Sequence, residues 1–312
     1  MTPGRVLVLG SNGFVGGWLA KELGARGWDV LGSDMAETSA HDDYVWYRPC
    51  DVLDASGLAQ LVKEARPDAV VNLAAVSSVG QSWRNPRLTM EVNVMGALNL
   101  LEATRALQSP PHLLLVGSSE QYAPSSEPLR ECDPIDASNP YGLSKATQEQ
   151  VALLYAREWG VPVCLTRSFN HTGPKQAPTF VLSAWCNQVA AIERSGKPGT
   201  LHVGNLHVAR DFSDVRDVCR AYAMILESDA VGEVFNVGSG KAHTLRDLAQ
   251  QICSFASVPV SIEVDPKLVR DVDVPSICCD ATKIRERVGW EPTRRLADTL
   301  QQMYEEFLSG SA

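Results

Sequence analysis

Four consecutive apolar residues, Val6-Leu-Val-Leu9, run straight into Gly10-x-x-Gly13-x-x-Gly16 near the start of the chain. Four residues are too few for a helix and suit a strand buried on both faces, as in a parallel sheet. An amphipathic run from Trp18 to Arg26 follows, so strand, glycine turn and helix come in the order of a dinucleotide-binding turn. Gly10 permits the tight turn, Gly13 lets the backbone approach a pyrophosphate, and Gly16 lets the helix lie close to the strand. The helix N-terminus then faces the phosphates with its free N–H groups. Asn12, Phe14 and Val15 lie in the same turn and are expected to contact the cofactor with it.

At 312 residues and 45% hydrophobic content the chain can bury a full core. The expected architecture is α/β: a Rossmann doubly wound parallel sheet with a smaller, discontinuous C-terminal substrate lobe. The dinucleotide-binding domain is expected over 1–167, with elements returning to it at about 213–240, and 168–312 forms most of the lobe. A net charge of −9 without a basic run argues against nucleic acid or an anionic membrane as partner. No apolar stretch approaches the ~20 residues of a membrane span. The first strand begins by Val6, which leaves no room for a signal peptide. The eight cysteines show no C-x-x-C spacing, and adjacent Cys278-Cys279 is a poor zinc pair; they read as free thiols in a reducing cytoplasm. His41, His112, His202, His207 and His243 show no ligand spacing, and no metal is expected.

A second apolar strand, residues 29–33, ends at Asp34, about 20 residues past the glycines, where an acid hydrogen-bonds ribose hydroxyls. That carboxylate would repel a 2′-phosphate, and no Arg follows in its loop, so NAD(H) is favoured over NADP(H). A solvated loop aspartate would fit the same position. Asp51 comes where such folds contact the adenine, although a helix-flanking acid fits it equally, and Val52 beside it is a further cofactor candidate. The third strand leads through Asn72 to Leu73-Ala74-Ala75, small residues suited to close approach by a cofactor, and Ser77 follows in a polar loop. From Pro86 to Leu107 the spacing of Leu88, Val92, Met95, Leu98 and Leu101 predicts one long helix. Asn93 interrupts its apolar side and is placed to bond to the sheet backbone.

The fourth strand delivers Gly117-Ser118-Ser119-Glu120-Gln121-Tyr122 at its carboxyl end, where open α/β sheets place their chemistry. Asn139-Pro-Tyr-Gly-Leu-Ser-Lys145 opens the next helix, and Tyr141 and Lys145, four apart, share one of its faces. A free tyrosine titrates near ~10, and a fixed ammonium beside it favours the phenolate. Ser118, Tyr141 and Lys145 are therefore the candidate catalytic set.

With these motifs the chain resembles the extended short-chain dehydrogenase/reductase family, the sugar-nucleotide epimerases, dehydratases and reductases. The resemblance covers nearly the whole chain. It implies that Tyr141 is the acid–base residue, that Lys145 bonds the nicotinamide ribose and lowers the Tyr141 pKa, and that Ser118 holds the reacting oxygen. Ser168-Phe-Asn-His-Thr-Gly-Pro174 and Arg210-Asp-Phe-Ser-Asp-Val-Arg-Asp217 look like the GDP-sugar branch. That likeness implies substrate contacts from Asn170, and from Arg210 and Arg270 at the nucleotide diphosphate; the loop hydroxyl of Ser77 and the strand-end hydroxyl of Ser119 are further substrate-side candidates. A pyrophosphate needs cations, and Arg210, Arg270 and Lys175 lie close to the motifs in an otherwise acidic chain.

The expected reaction is NAD(P)H-dependent reduction of the C4 ketone of a GDP-linked 6-deoxy-4-keto sugar, with GDP-rhamnose as the expected product. The alternative is a GDP-mannose 4,6-dehydratase, in which Glu120 sits where that branch has its base. Against the alternative, the chain is short for that branch, has Lys175-Gln176 where an arginine pair is expected, and lacks a lysine in Phe180-Val-Leu-Ser-Ala184. A 4-epimerase would use the same three residues. A protein that only binds the dinucleotide would not need all three. The family also implies a homodimer through the helices at Pro86 to Leu107 and Asn139 to Trp159.

Overall fold

The run at residues 6–9 needs protein on both sides, and in the computed structural model, which describes residues 3–269 and 274–310, it lies inside a sheet. The strands of that sheet are β1 (Arg5–Leu9), β2 (Asp29–Ser33), β3 (Trp46–Tyr47), β4 (Ala69–Asn72), β5 (His112–Ser118), β6 (Val163–Ser168) and, after three strands of the lobe, β10 (Val234–Val237). Their spatial order is β10-β6-β5-β4-β1-β2-β3, and every pairing is parallel. Helices Phe14–Ala25 and Val215–Glu227 cover one face with Leu19, Leu23, Val218, Tyr222 and Ile225. Helices Ala55–Ala65, Gly96–Arg105 and Pro140–Trp159 cover the other with Leu58, Leu61, Leu100, Leu101 and Ala152. This is the doubly wound sheet expected from the sequence.

The chain leaves β1 toward β2 on one side and later returns to β4 on the other. A crevice opens outside the carboxyl ends of strands at such a switch point. The remaining strands build the lobe that faces it. Strand β9 (Ala209–Asp214) pairs with β7 (Asn170–Thr172), β11 (Ala242–Thr244) and β13 (Ser276–Ile277), while β8 (Gly199–Val203) pairs with β12 (Val260–Val264). Helices Val181–Ser195, Leu245–Cys253 and Leu296–Ser309 bury Trp185, Val189, Leu248, Ile252, Leu300 and Met303 as a separate core. Among the described residues no helix is long and apolar enough to cross a membrane.

The long helix expected from Pro86 to Leu107 runs without interruption from Pro86 to Arg105 but contains a π turn. It consists of Pro86–Met90, a π turn at Glu91–Met95, and Gly96–Arg105. The wide turn carries Asn93, buried at 1% exposure, whose Oδ1 accepts from Val76 N at 2.8 Å. Its Nδ2 donates to Val76 O at 3.1 Å and to Ser144 Oγ at 2.8 Å. The bond expected to the sheet backbone is made instead to the loop just past β4. Satisfying both polar groups of Val76 from one side chain gives the extra residue in this turn its purpose, and π turns often mark functional sites.

Candidate active site

The crevice begins with a backbone contact. Gly10 has φ +75°, and a Cβ there would stand 2.7 Å from Ala74 N and 2.8 Å from the Leu73 carbonyl carbon. At Gly16 a Cβ would lie 2.2 Å from Ser11 O, so the helix sits directly on the turn. No side chain caps helix Phe14–Ala25 at Gly13, which leaves its first-turn N–H groups to face outward. Asp34 follows β2, where its Oδ2 accepts from Asn12 N at 3.2 Å and its Oδ1 from Met35 N at 2.8 Å. Asn12 braces the loop after Asp34: its Oδ1 accepts from Ala40 N and its Nδ2 donates to Thr38 O. A cradle without side chains, a bare helix start and a carboxylate one strand away fit a dinucleotide.

Asp51 is exposed and close to Asp34, because Cys50 N donates to Asp34 O at 2.8 Å. The Val52 side chain packs in the core against Gly96, and its carbonyl accepts from Asn99. Phe14 and Val15 are part-buried at the first turn of the helix, and Leu73 to Ala75 are part-buried with Leu73 and Ala74 against Gly10.

Across the crevice, Ser118 ends β5 and is buried. Its Oγ accepts from Glu120 N at 3.2 Å, within a single turn of 3-10 helix at Ser119–Gln121. Tyr141 stands in the first turn of Pro140–Trp159, with Pro140 at the position where a missing N–H costs nothing. Asn139 caps that helix by accepting from Gly142 N at 2.9 Å, and its Nδ2 donates to Glu120 Oε2 at 2.8 Å. One side chain thus pins the helix start to the strand end, which brings Ser118, Glu120 and Tyr141 together. Burial pushes the Tyr141 phenol up to about 12; a hydrogen bond with Ser118 opposes this, and the Glu120 carboxylate reinforces it. Lys145 is 3% exposed, donates to Val116 O at 2.7 Å and to Gln148 Oε1 at 3.1 Å, and is brought down to about 7 by burial.

The substrate-side candidates are more spread out. Ser77 is exposed, before the helix Val79–Arg84, and Ser119 is buried in the turn after β5. Asn170 starts β7, in register with Phe212 of β9. Arg210, on β9, donates to Ala209 O at 2.8 Å and Val274 O at 2.7 Å. Arg270 lies outside the described residues. Lys175 is exposed, and its backbone N–H donates to Glu306. His171, which sequence reasoning passed over, stacks on Phe14 of the glycine turn with ring centroids 6.5 Å apart; burial lowers its pKa. Its place between Asn170 and the Gly-Pro pair was the available signal. Among the described residues no group of three or more His, Cys, Asp or Glu is arranged to hold a metal, and all eight cysteines are unbridged.

The fold and this constellation define an extended short-chain dehydrogenase/reductase. Residues 7–303 match the family model of GDP-mannose 4,6 dehydratase. The GDP-6-deoxy-D-mannose reductase of Pseudomonas aeruginosa is 31% identical over 310 residues, covering 98% of this chain and 97% of that protein. The GDP-mannose 4,6-dehydratase of Yersinia enterocolitica is 28% identical over 352 residues, covering 98% and 93%. Among solved structures, RMD from Pseudomonas aeruginosa complexed with NADPH superposes with a TM-score of 0.85 at 30% identity, covering 98% and 99%. The chain belongs to the GDP-mannose 4,6-dehydratase family, within the NAD(P)-dependent epimerases, dehydratases and reductases that modify sugar nucleotides. It is an enzyme, as the sequence motifs implied.

The buried lysine carries a stability consequence. Its native value of about 7 lies below the ordinary 10.5, so between these pH values the unfolded chain holds a proton that the native one lacks. Stability contributed by this group therefore rises with pH across that window, and its penalty is complete below about pH 7. Lys145→Met should raise the Tm of cofactor-free protein at pH 7 and flatten its rise toward pH 10. Thermal melts of both proteins across that range check it; a lower Tm at pH 7 would contradict it.

Proposed function

We propose that this enzyme carries out hydride chemistry at C4 of a GDP-linked hexose, with the chain's own residues managing the proton. The observation that carries the proposal is the hydrogen bond between Ser118 and Tyr141, with buried Lys145 one helical turn beyond Tyr141 and the glycine cradle at the end of β1. A nicotinamide dinucleotide, when bound, exchanges the hydride with C4. Tyr141 gives or takes the proton at the C4 oxygen, and Ser118 Oγ orients that oxygen. A Lys145 ammonium close to Tyr141 favours its phenolate. Asn170, Arg210 and Arg270 are assigned to the sugar nucleotide, with Arg210 and Arg270 at its diphosphate. A homodimer through the helices around Met95, Leu143 and Leu154 is supported by the exposure of these apolar side chains.

Of the two reactions this core can run, 4,6-dehydration has more support than the reduction expected from the sequence. It is the reaction of the matched family model and of the Yersinia relative. It also needs a base for the C5 proton once C4 is a ketone, and Glu120 is a carboxylate close enough to raise the Tyr141 pKa. Water then leaves across C5–C6, and the hydride taken from C4 returns to C6. Ketone reduction is the second reading, favoured by the 31% identity to the reductase over 310 residues and 97% of its length. A Tyr141 held as the phenol by burial is also the form that donates a proton to a new alkoxide.

Two experiments separate these readings and test the cofactor. Wild-type protein given GDP-mannose and NAD should accumulate a 4-keto-6-deoxy product. Glu120→Gln should abolish that accumulation, and Tyr141→Phe should lower it by about 10²-fold or more while cofactor still binds. No product from GDP-mannose, together with NADH consumption on the keto sugar that Glu120→Gln lowers less than about tenfold, would install the reductase. Near-normal turnover by Tyr141→Phe would remove both readings.

Asp34 should favour NAD(H) over NADP(H), because a carboxylate repels a 2′-phosphate and the first arginine after it, Arg48, pairs with Glu64. NADP(H) is the alternative, since the Pseudomonas relative was solved with NADPH. kcat/KM for both cofactors decides it: a clear NADP(H) preference would mean that Asp34 does not meet the ribose.

A further inference from the structure

Beneath Ser118 runs a chain of buried polar side chains that the chemistry itself does not touch. Gln121, fully buried, closes the turn after β5. Its Oε1 accepts from Ser118 N at 2.8 Å, and its Nε2 donates to Glu149 Oε2 at 2.9 Å. Glu149 lies one helical turn beyond Lys145 on the helix that also carries Tyr141. Arg167 of β6 holds its carboxylate in a two-pronged grip, Nε to Oε2 at 2.9 Å and Nη2 to Oε1 at 2.6 Å. Arg167 is fixed in turn by a bond to Glu131 O at 2.9 Å and by the Tyr122 ring 4.7 Å away.

The arrangement dictates which way the Gln121 amide points. A carboxylate can only accept, so the amide must present its NH₂ to Glu149 and its oxygen to the Ser118 N–H. A buried ion pair is weak evidence for added stability, which makes a directing role for Glu149 and Arg167 worth testing. Resting on the proposed reading of Ser118, Tyr141 and Lys145, we infer that Gln121 and Glu149 are positioning residues: the Glu149–Arg167 pair orients the Gln121 amide, and that amide holds the Ser118 turn in place against the helix carrying Tyr141 and Lys145. Gln121 acts on the reaction through the turn that carries Ser118 and Glu120.

The test is a double-mutant cycle. Turnover is followed with GDP-mannose and NAD, or with the 4-keto-6-deoxy derivative and NADH, whichever pair wild-type protein converts. Gln121→Met fills the space without a donor or acceptor for Ser118 and should lower kcat by about ten- to a hundredfold, the scale of a small misplacement. KM for the sugar nucleotide should stay within about twofold, because only the Ser118 turn has moved. In a Ser118→Ala background the same substitution should cost several-fold less than in wild type, since groups that act as one unit are not additive. A full, multiplicative loss in that background would overturn the role. Ser118→Ala with normal kcat would instead overturn the reading of the site, and this role with it.

Gln121→Glu keeps the role testable if Gln121→Met does not fold. Its carboxyl can accept from Ser118 and donate to Glu149 only when protonated, and two facing carboxylates retain a proton to higher pH. Its activity relative to wild type should therefore climb as pH falls. A ratio flat with pH would contradict the inference.

Discussion

The backbones of Gly10 and Ala74 approach so closely that one added carbon would stand 2.7 Å from an amide nitrogen, and the rest of the site depends on that contact. It closes the floor between the ends of β1 and β4, where the chain turns in opposite directions. The wall beyond it is held by a chain of polar bonds. Asn93 grips Val76 by both its N–H and its carbonyl, then donates to Ser144 Oγ. Ser144 in turn donates to the Tyr141 carbonyl at 2.7 Å. The glycine cradle and the helix carrying Tyr141 are thereby tied through one buried asparagine, and the π turn that displays it is part of the site's construction.

Burial is the main electrostatic influence on Tyr141 and Lys145. It pushes the phenol up and the ammonium down, so each is biased toward its neutral form. Lys145 has a carbonyl and an amide oxygen as its hydrogen-bond partners and forms no ion pair among the described residues. A charge brought into this pocket would act on both groups in a low-dielectric setting, where charge–charge interactions are stronger than in water. The pair is poised to respond to a bound cofactor.

What was legible in the sequence was local. The glycine turn, the buried strand before it and the four-residue spacing of Tyr141 and Lys145 each lie within one short stretch, and each carries its geometry with it. The π turn was not legible, because apolar residues at 88, 92, 95, 98 and 101 suit a regular helix and do not reveal an extra residue in one turn. Gln121, Glu149 and Arg167 were equally hidden: they meet across 28 and 18 residues of chain, and each alone resembles an ordinary polar residue. Asp34 and Asp51, placed by their spacing to strand ends, lie near one another. The choice between dehydration and reduction turns on what Glu120 does during the reaction, which no spacing encodes.

Tyr141 is proposed to exchange the proton, with Lys145 setting its pKa once cofactor is bound. The most direct measurement is the pH dependence of hydride transfer, followed by reduced-nicotinamide absorbance in single turnovers of wild type and Lys145→Met. The account predicts an apparent pKa for Tyr141 below the ordinary value of ~10 in wild type and above it in Lys145→Met. The same apparent pKa in both proteins would contradict it.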